Sequence, residues 1–134
     1  MVLGSTRLRL GWVMRKFLIL FIWLLSFEAM AEFVHPMDFD GSEAQKSEVI
    51  KYIEQKVRKD YCDSGLDMCN ATVLRRMERA NLEAFKEAIN AENRKIMDRV
   101  IKDYCNSGLD MCNYKVILRM YKKNLEASGQ SLTW

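Results

Sequence analysis

One segment of this chain occurs twice, and the two copies are nearly identical. The segment Lys59–Asn70 reads KDYCDSGLDMCN, and it returns 43 residues later, at Lys102–Asn113, as KDYCNSGLDMCN. Asp63 against Asn106 is the only difference between the copies. A repeat period of this length is typical of one supersecondary unit that is used twice. The fold must therefore accommodate two similar units joined in tandem.

The first 31 residues have the features of a targeting segment. Arg15 and Lys16 precede an apolar run at 17–27, and Ala29 and Ala31 are the small residues that a signal peptidase requires. The apolar run is shorter than the ~20 residues of a membrane-spanning helix. We therefore predict a signal peptide over residues 1–31, with position 14 as a possible true start and no stable membrane anchor after cleavage. An uncleaved anchor is the alternative.

The distribution of charge argues against nucleic-acid binding. The whole chain has 21 basic and 18 acidic residues and a formal net charge of +3. Four of the basic residues and one of the acidic ones lie in the predicted leader, so the mature part is neutral overall. A nucleic-acid binder would carry a basic surplus on one face. We expect a protein of the envelope, of unknown identity, as the partner.

Composition and hydrophobic pattern predict an all-α fold after the leader. Residues 32–41 contain the only proline of the chain, and we interpret them as an extended lead-in. Over residues 42–134, apolar side chains recur at spacings of three and four, which is typical of helices with one buried face. We expect Ser42 to cap the first helix, a second helix to begin near Met68, and the last helix to span about 111–127.

The join between the two repeats decides how many helices there are. Repeat one covers about 42–88 and repeat two about 89–130. Between Met68 and Tyr104 the chain has no glycine or proline, and only Asn90–Asn93 offers turn-forming residues. Antiparallel helices are usually joined by turn residues. We therefore predict two tandem αα-hairpin repeats that share one long central helix, with a break at Asn90–Asn93 and four separate helices as the alternative.

A long shared helix predicts incomplete burial, because only two helices would then meet in any cross-section. A domain this small is already marginal in the surface it buries. A homodimer, most often built around a two-fold axis, would cover the remaining apolar groups. The residues expected in such an interface are Phe85, Ile89, Met97, Ile101 and Tyr121.

Each copy of the repeated segment predicts a tight corner closed by a disulfide. An even number of cysteines in a small exported domain is typical of a disulfide framework. Two cysteines separated by six residues lie ~10 Å apart along a continuous helix, too far for a bond, unless a glycine reverses the chain between them. We therefore favour pairing within each corner over the two other connectivities. The corner residues are the cysteines Cys62, Cys69, Cys105 and Cys112, the left-handed turn residues Gly65 and Gly108, and the helix caps Asp67 and Asp110.

No pattern in the mature sequence is typical of an active site or a cofactor site. The only histidine, His35, lies in the lead-in, and no Ser–His or Cys–His pair is present to activate a nucleophile. The recurring residues Asp60 and Asp103 are interpreted as solvated acids, and Arg76 and Arg119 as solvated or paired with carboxylates. We expect no enzymatic activity, no cofactor and no metal ion.

In both repeats a cysteine is followed by a helix that contains an Asn-Leu pair. These segments, Cys69–Phe85 and Cys112–Ala127, resemble the lysozyme-inhibitor family built on the LprI domain. We expect a disulfide-stabilised protein-binding module or inhibitor of the bacterial envelope, periplasmic or secreted. The alternative is a periplasmic protein that handles metal or redox equivalents through its cysteine and methionine side chains.

Overall fold

The computed structural model describes residues 29–134, and all regular structure in that part of the chain is helical. A short 3-10 helix at Pro36–Asp38 precedes four α-helices. Helix α1 spans Glu43–Cys62, α2 spans Ala71–Ala88, α3 spans Arg94–Cys105 and α4 spans Tyr114–Ser128. The all-α prediction is confirmed. Most of the predicted signal peptide lies outside the described residues, so it stays a prediction.

A polar side chain caps the start of every α-helix. The Ser42 hydroxyl accepts a hydrogen bond from the amide of Gln45 at 3.2 Å, as expected. Asn70 and Asn113 accept from the amides three residues further on, each at 3.0 Å. The expectation that Asp67 and Asp110 serve as these caps was wrong. Helices α2 and α4 begin later than expected, and asparagine in an extended conformation directly before the first turn can satisfy the free amide.

The prediction of one long central helix was also wrong, because α2 and α3 are separated by residues 89–93. Asn93 caps α3 by accepting from the amide of Ile96 at 3.1 Å. The phenol oxygen of Tyr121 accepts from the amides of Glu92 and Asn93, at 3.3 and 3.1 Å. A side chain from α4 thus supplies the acceptors that these amides lose when the helix stops. The break at Asn90–Asn93 gives four helices.

Helices α2 and α4 form the centre of the bundle. Helix α2 packs against α1 and α4, and α4 packs against α2 and α3. The interior consists of two apolar clusters, one at the junction of α1, α2 and the start of α4, and one among the end of α2, α3 and α4. The buried residues are Val49, Ile53, Val57, Ala84, Phe85 and Tyr114 in the first cluster, and Ala88, Met97, Val100, Ile117 and Tyr121 in the second.

The burial of these residues removes the argument for a homodimer. Phe85, Met97 and Tyr121, three of the five residues expected at a dimer interface, are buried within the chain itself. They are covered because α4 packs against both α2 and α3 after the break. The homodimer remains a prediction without its original structural reason.

The lead-in, residues 32–41, is packed into the bundle through its apolar side chains. Pro36 is buried, and the ring of Phe33 stacks on Tyr114 with centroids 5.1 Å apart. The ring of Phe39 meets Phe85 edge-on at 5.1 Å. The lead-in therefore contributes to the first apolar cluster.

Polar contacts attach the same segment to the helices. The Tyr114 hydroxyl accepts from the amide of Val34 at 3.2 Å and donates to its carbonyl at 3.0 Å. His35 Nε2 lies 2.9 Å from a carboxylate oxygen of Asp98, and Asp38 forms a two-point ion pair with Arg94. Because its contacts reach all four helices, the lead-in is a strap across the bundle, and His35 belongs to the packed structure.

Candidate functional site: two disulfide-closed corners

Each hairpin turns through a corner that a disulfide closes. We call residues 63–70 the first corner and residues 106–113 the second corner. The Cys62–Cys69 bond closes the first with a Cα–Cα distance of 4.6 Å, and Cys105–Cys112 closes the second at 4.4 Å. The prediction of disulfide bonds is confirmed, and the structure pairs the cysteines within each corner.

A glycine allows the chain to reverse in each corner. Gly65 and Gly108 have φ angles of 75° and 78°, in the left-handed region that side chains with a Cβ rarely adopt. Both lie three residues past the last helical residue, further from the helix end than a standard C-terminal cap. The glycine therefore permits the reversal, and the disulfide holds the two ends of the corner together.

Both corners expose apolar side chains. Leu66 and Leu109 are 56% and 61% exposed, and Met68 and Met111 are each 39% exposed. A single exposed leucine on a protein surface is ordinary. Here the same Leu-Asp-Met sequence is exposed at two places, on two loops of the same construction.

The two repeats differ inside the bundle and agree at this surface. Tyr114 of repeat two corresponds to Ala71 of repeat one, and Tyr121 corresponds to Glu78. Each repeat is thus adapted to its own place in the core. The leucine and methionine of the corners have no such packing role, yet they are the same in both. The corners therefore expose the same short sequence at two places on the surface.

The corners lie close together at one end of the bundle. Lys59, one turn before the end of α1, places its Nζ 2.6 Å from a carboxylate oxygen of Asp110. Lys56 Nζ lies 3.2 Å from the other oxygen, and the Tyr52 hydroxyl donates to the carbonyl of Cys112 at 2.6 Å. The second corner therefore rests on the last three turns of α1, and α1 ends at the first corner. Both corners thus lie at the same end of the bundle.

The aspartates of the two corners differ in their electrostatic surroundings. Hydrogen bonds from Lys59 and Lys56 hold the pKa of Asp110 below its usual value, and Asp110 in turn raises the pKa of Lys59. Asp67, at the same position of the first corner, forms no ion pair within residues 29–134. The first corner therefore presents a free carboxylate between two exposed apolar side chains.

Lys56 is a residue of this region that sequence reasoning missed. Its side chain is buried and is satisfied by Asp60 together with the carbonyl and carboxylate of Asp110. A buried lysine needs such partners because its charge loses hydration. Its position on the apolar stripe of α1, three residues after Ile53, could have indicated from the sequence that this lysine is buried.

The remaining sequence candidates do not converge on a site. Asp60 pairs with Lys56, and Asp103 pairs with Arg99 at 3.2 Å. Arg76 and Arg119 are exposed and make no ion pair within the described part of the chain. No group of three or more metal-binding side chains occurs in residues 29–134. All four cysteines are in disulfides, so metal binding through cysteine would require their reduction.

The disulfides fit a protein located outside the cytoplasm, where thiols are not kept reduced. Among residues 29–134, no helix has both the length and the apolar character of a membrane span. Comparison of the chain with family models, with curated proteins and with solved structures finds no match. The likeness of two segments to the LprI-domain inhibitors therefore gains no support from these comparisons, and the corners are the best-supported candidate site.

Proposed function

We propose that this protein is a binding module of the bacterial envelope that recognises another protein through its two corners. The observation that carries the proposal is the exposure of the same Leu-Asp-Met sequence on both disulfide-closed loops. The predicted signal peptide and the disulfides support a periplasmic or secreted location.

The construction of the corners favours binding by a preorganised surface. A disulfide and helix ends on both sides fix each loop, so little backbone freedom is lost when a partner binds. Complete burial of an apolar side chain contributes roughly 1.5–3 kcal/mol. The two leucines and two methionines are about half exposed, so burying the rest of them would offset only part of the cost of association, and polar contacts must supply the remainder. Because both corners lie at the same end of the bundle, we expect one partner to contact both.

The chemistry of the surface restricts the kind of partner. The partner should present apolar pockets for Leu66 and Leu109, and a cationic group beside the first pocket for the free carboxylate of Asp67. An enzyme whose cleft has these features would be inhibited when the corners occupy it. The resemblance to lysozyme inhibitors makes lysozyme inhibition the first activity to assay.

Cross-linking tests the proposal directly. We would place a photo-activatable residue at position 66 or 109 and, as a control, at Leu125, which is 43% exposed on α4. We expect the same envelope protein to be captured from both corners and not from position 125. A variant with Leu66→Ser and Leu109→Ser should lose this protein, whereas Leu125→Ser should retain it. Equal capture from position 125, or binding unchanged in the double variant, would contradict the proposal.

A further inference from the structure

The main-chain nitrogen of Glu32 lies against a carboxylate. It is 2.7 Å from Oε1 of Glu48, and the preceding amide, that of Ala31, is 2.9 Å from Oε1 of Gln55. Both acceptors belong to α1. Glu48 forms no ion pair with a side chain within residues 29–134, so the Glu32 nitrogen is its specific polar partner there.

The position of this nitrogen is fixed by the residues that follow it. The ring of Phe33 packs against Tyr52 and Tyr114, with centroid distances of 5.5 and 5.1 Å. Both main-chain polar groups of Val34 bond to the Tyr114 hydroxyl. We therefore expect the nitrogen of Glu32 to remain beside Glu48 after Ala31 is removed.

The residues before this point leave the packed structure. Ala29 is exposed and Met30 is 78% exposed, whereas Ala31 is half-buried. The Ala31–Glu32 peptide bond, at which the signal peptide is predicted to end, thus lies at the edge of the packed structure. Cleavage there would convert the amide that faces Glu48 into an amine.

We propose that Glu48 is the built-in counterion of a new N-terminus at Glu32, an inference that rests on the export part of the proposed function. In the cleavage, water adds to the carbonyl carbon of Ala31 and the C–N bond breaks. Ala31 leaves as a carboxylate, and the amine on Glu32 takes up a proton. The ammonium group then forms an ion pair with Glu48 in place of the neutral amide hydrogen bond.

The surroundings of the nitrogen give this ion pair a defined pH dependence. The titratable groups around it are Glu48 from α1, the exposed carboxylate of Glu32 itself, and Tyr52 and Tyr114, whose rings pack against the adjoining Phe33. Burial raises the pKa of both phenols, so they are neutral at physiological pH. The pKa of the ammonium should exceed the ordinary value of about 7.7–8.0 for an α-amino group. Its contribution to stability is therefore complete below that pH and is lost as the pH rises through the higher, folded value.

The test uses oxidised proteins with two defined N-termini, one beginning at Glu32 and one at Ala29, each with Glu48 or with Glu48→Gln. At pH 6.5 we expect the substitution to lower the thermal midpoint by about 1–5 °C in the protein that begins at Glu32, as for an exposed ion pair in a domain of this size. In the longer protein the shift should be below about 1 °C, because the amide there is uncharged. At pH 10.5 the difference between the two proteins should vanish.

Glu54→Gln is the matched control, since it makes the same change on α1 away from the N-terminus and should act equally in both proteins. An equal effect of Glu48→Gln in both, or an effect independent of pH, would overturn the ion pair. N-terminal sequencing of the exported full chain tests the cleavage separately, and a start other than Glu32 would overturn the inference. Partner capture at the corners is independent of both measurements, so failure of the binding proposal is distinguishable.

Discussion

Replacing Tyr114 by phenylalanine tests whether the lead-in is an integral part of the fold. The side chain of Tyr114 is fully buried, and its hydroxyl pairs with both the amide and the carbonyl of Val34, 80 residues away. The variant keeps the ring, and hence the packing against Phe33 and Phe85. Only the oxygen that attaches the lead-in to α4 is removed.

The expected loss of stability follows from the two groups left without a partner. A buried polar group that loses its hydrogen bond costs about 1–3 kcal/mol. Val34 is only half-buried, so water can reach part of its backbone, and we take the lower end of this range for each group. The free energy of unfolding should fall by about 2 kcal/mol, which corresponds to a decrease of roughly 8–16 °C in the thermal midpoint of a domain of this size.

Thermal unfolding followed by circular dichroism measures the midpoint, and hydrogen exchange reports the amide of Val34. We expect both the lower midpoint and faster exchange across the lead-in. Tyr61→Phe is the control, because the half-buried Tyr61 hydroxyl has no hydrogen-bond partner within residues 29–134. That variant should stay within about 0.5 kcal/mol of the wild type. An unchanged midpoint for Tyr114→Phe, with Val34 still protected, would refute the reasoning.

Three other perturbations have expected outcomes. Replacing both cysteines of either corner by serine should lower the free energy of unfolding, measured by urea denaturation, by about 2–3 kcal/mol, since each disulfide closes a short loop. No change would mean that the rest of the fold already restrains the loop. Asn93→Ala removes the cap of α3 and should cost about 1 kcal/mol in the same assay, whereas a neutral result would leave Tyr121 as the sole cause of the break. Asp110→Asn removes a carboxylate whose pKa in the folded protein lies below its usual value. The ionised carboxylate therefore contributes to stability at pH values above the usual pKa, and this contribution is lost as the pH falls through the pKa of the folded state. The Asp110→Asn variant should therefore unfold at a lower temperature than the wild type at pH 7, and at the same temperature as the wild type at pH 2. Asp67→Asn is the control, because Asp67 forms no ion pair within the described part of the chain, and it should show no such difference. Equal behaviour of the two variants would contradict a stabilising role of the Asp110 carboxylate.

Local features of the fold could be predicted from the sequence because their causes are local. The spacing of Cys62 and Cys69 around Gly65 is enough to favour a reversed chain with a bond across it. Ser42 as a cap and the apolar stripe of α1 likewise depend on neighbours within a few turns. The same reasoning failed for the caps of α2 and α4, since aspartate and asparagine serve equally well as caps and the corner could end at either residue.

The features that could not be predicted depend on contacts between distant residues. The break after α2 is stabilised by Tyr121, whose phenol oxygen accepts from the amides of residues 28 and 29 positions earlier. Lys56 can be buried because the second corner brings Asp110 to it from 54 residues away. For the candidate site, the sequence shows that the corners are duplicated. Only the structure shows that their leucines are exposed and that both corners lie at the same end of the bundle.

The strap formed by the lead-in has a consequence for the order of folding. Its contacts join residues 56, 63 and 80 positions apart, whereas each hairpin closes over a much shorter stretch of chain. Contacts between residues so distant in sequence are slow to form, because the intervening chain must first be brought together. The hairpins should therefore form early, and the strap should close only after α4 is complete. During synthesis or passage across a membrane, the first mature residues to emerge are therefore among the last to pack against the helices. A chain truncated before Tyr114 would leave α1 and α2 without the aromatic core that they share with the strap.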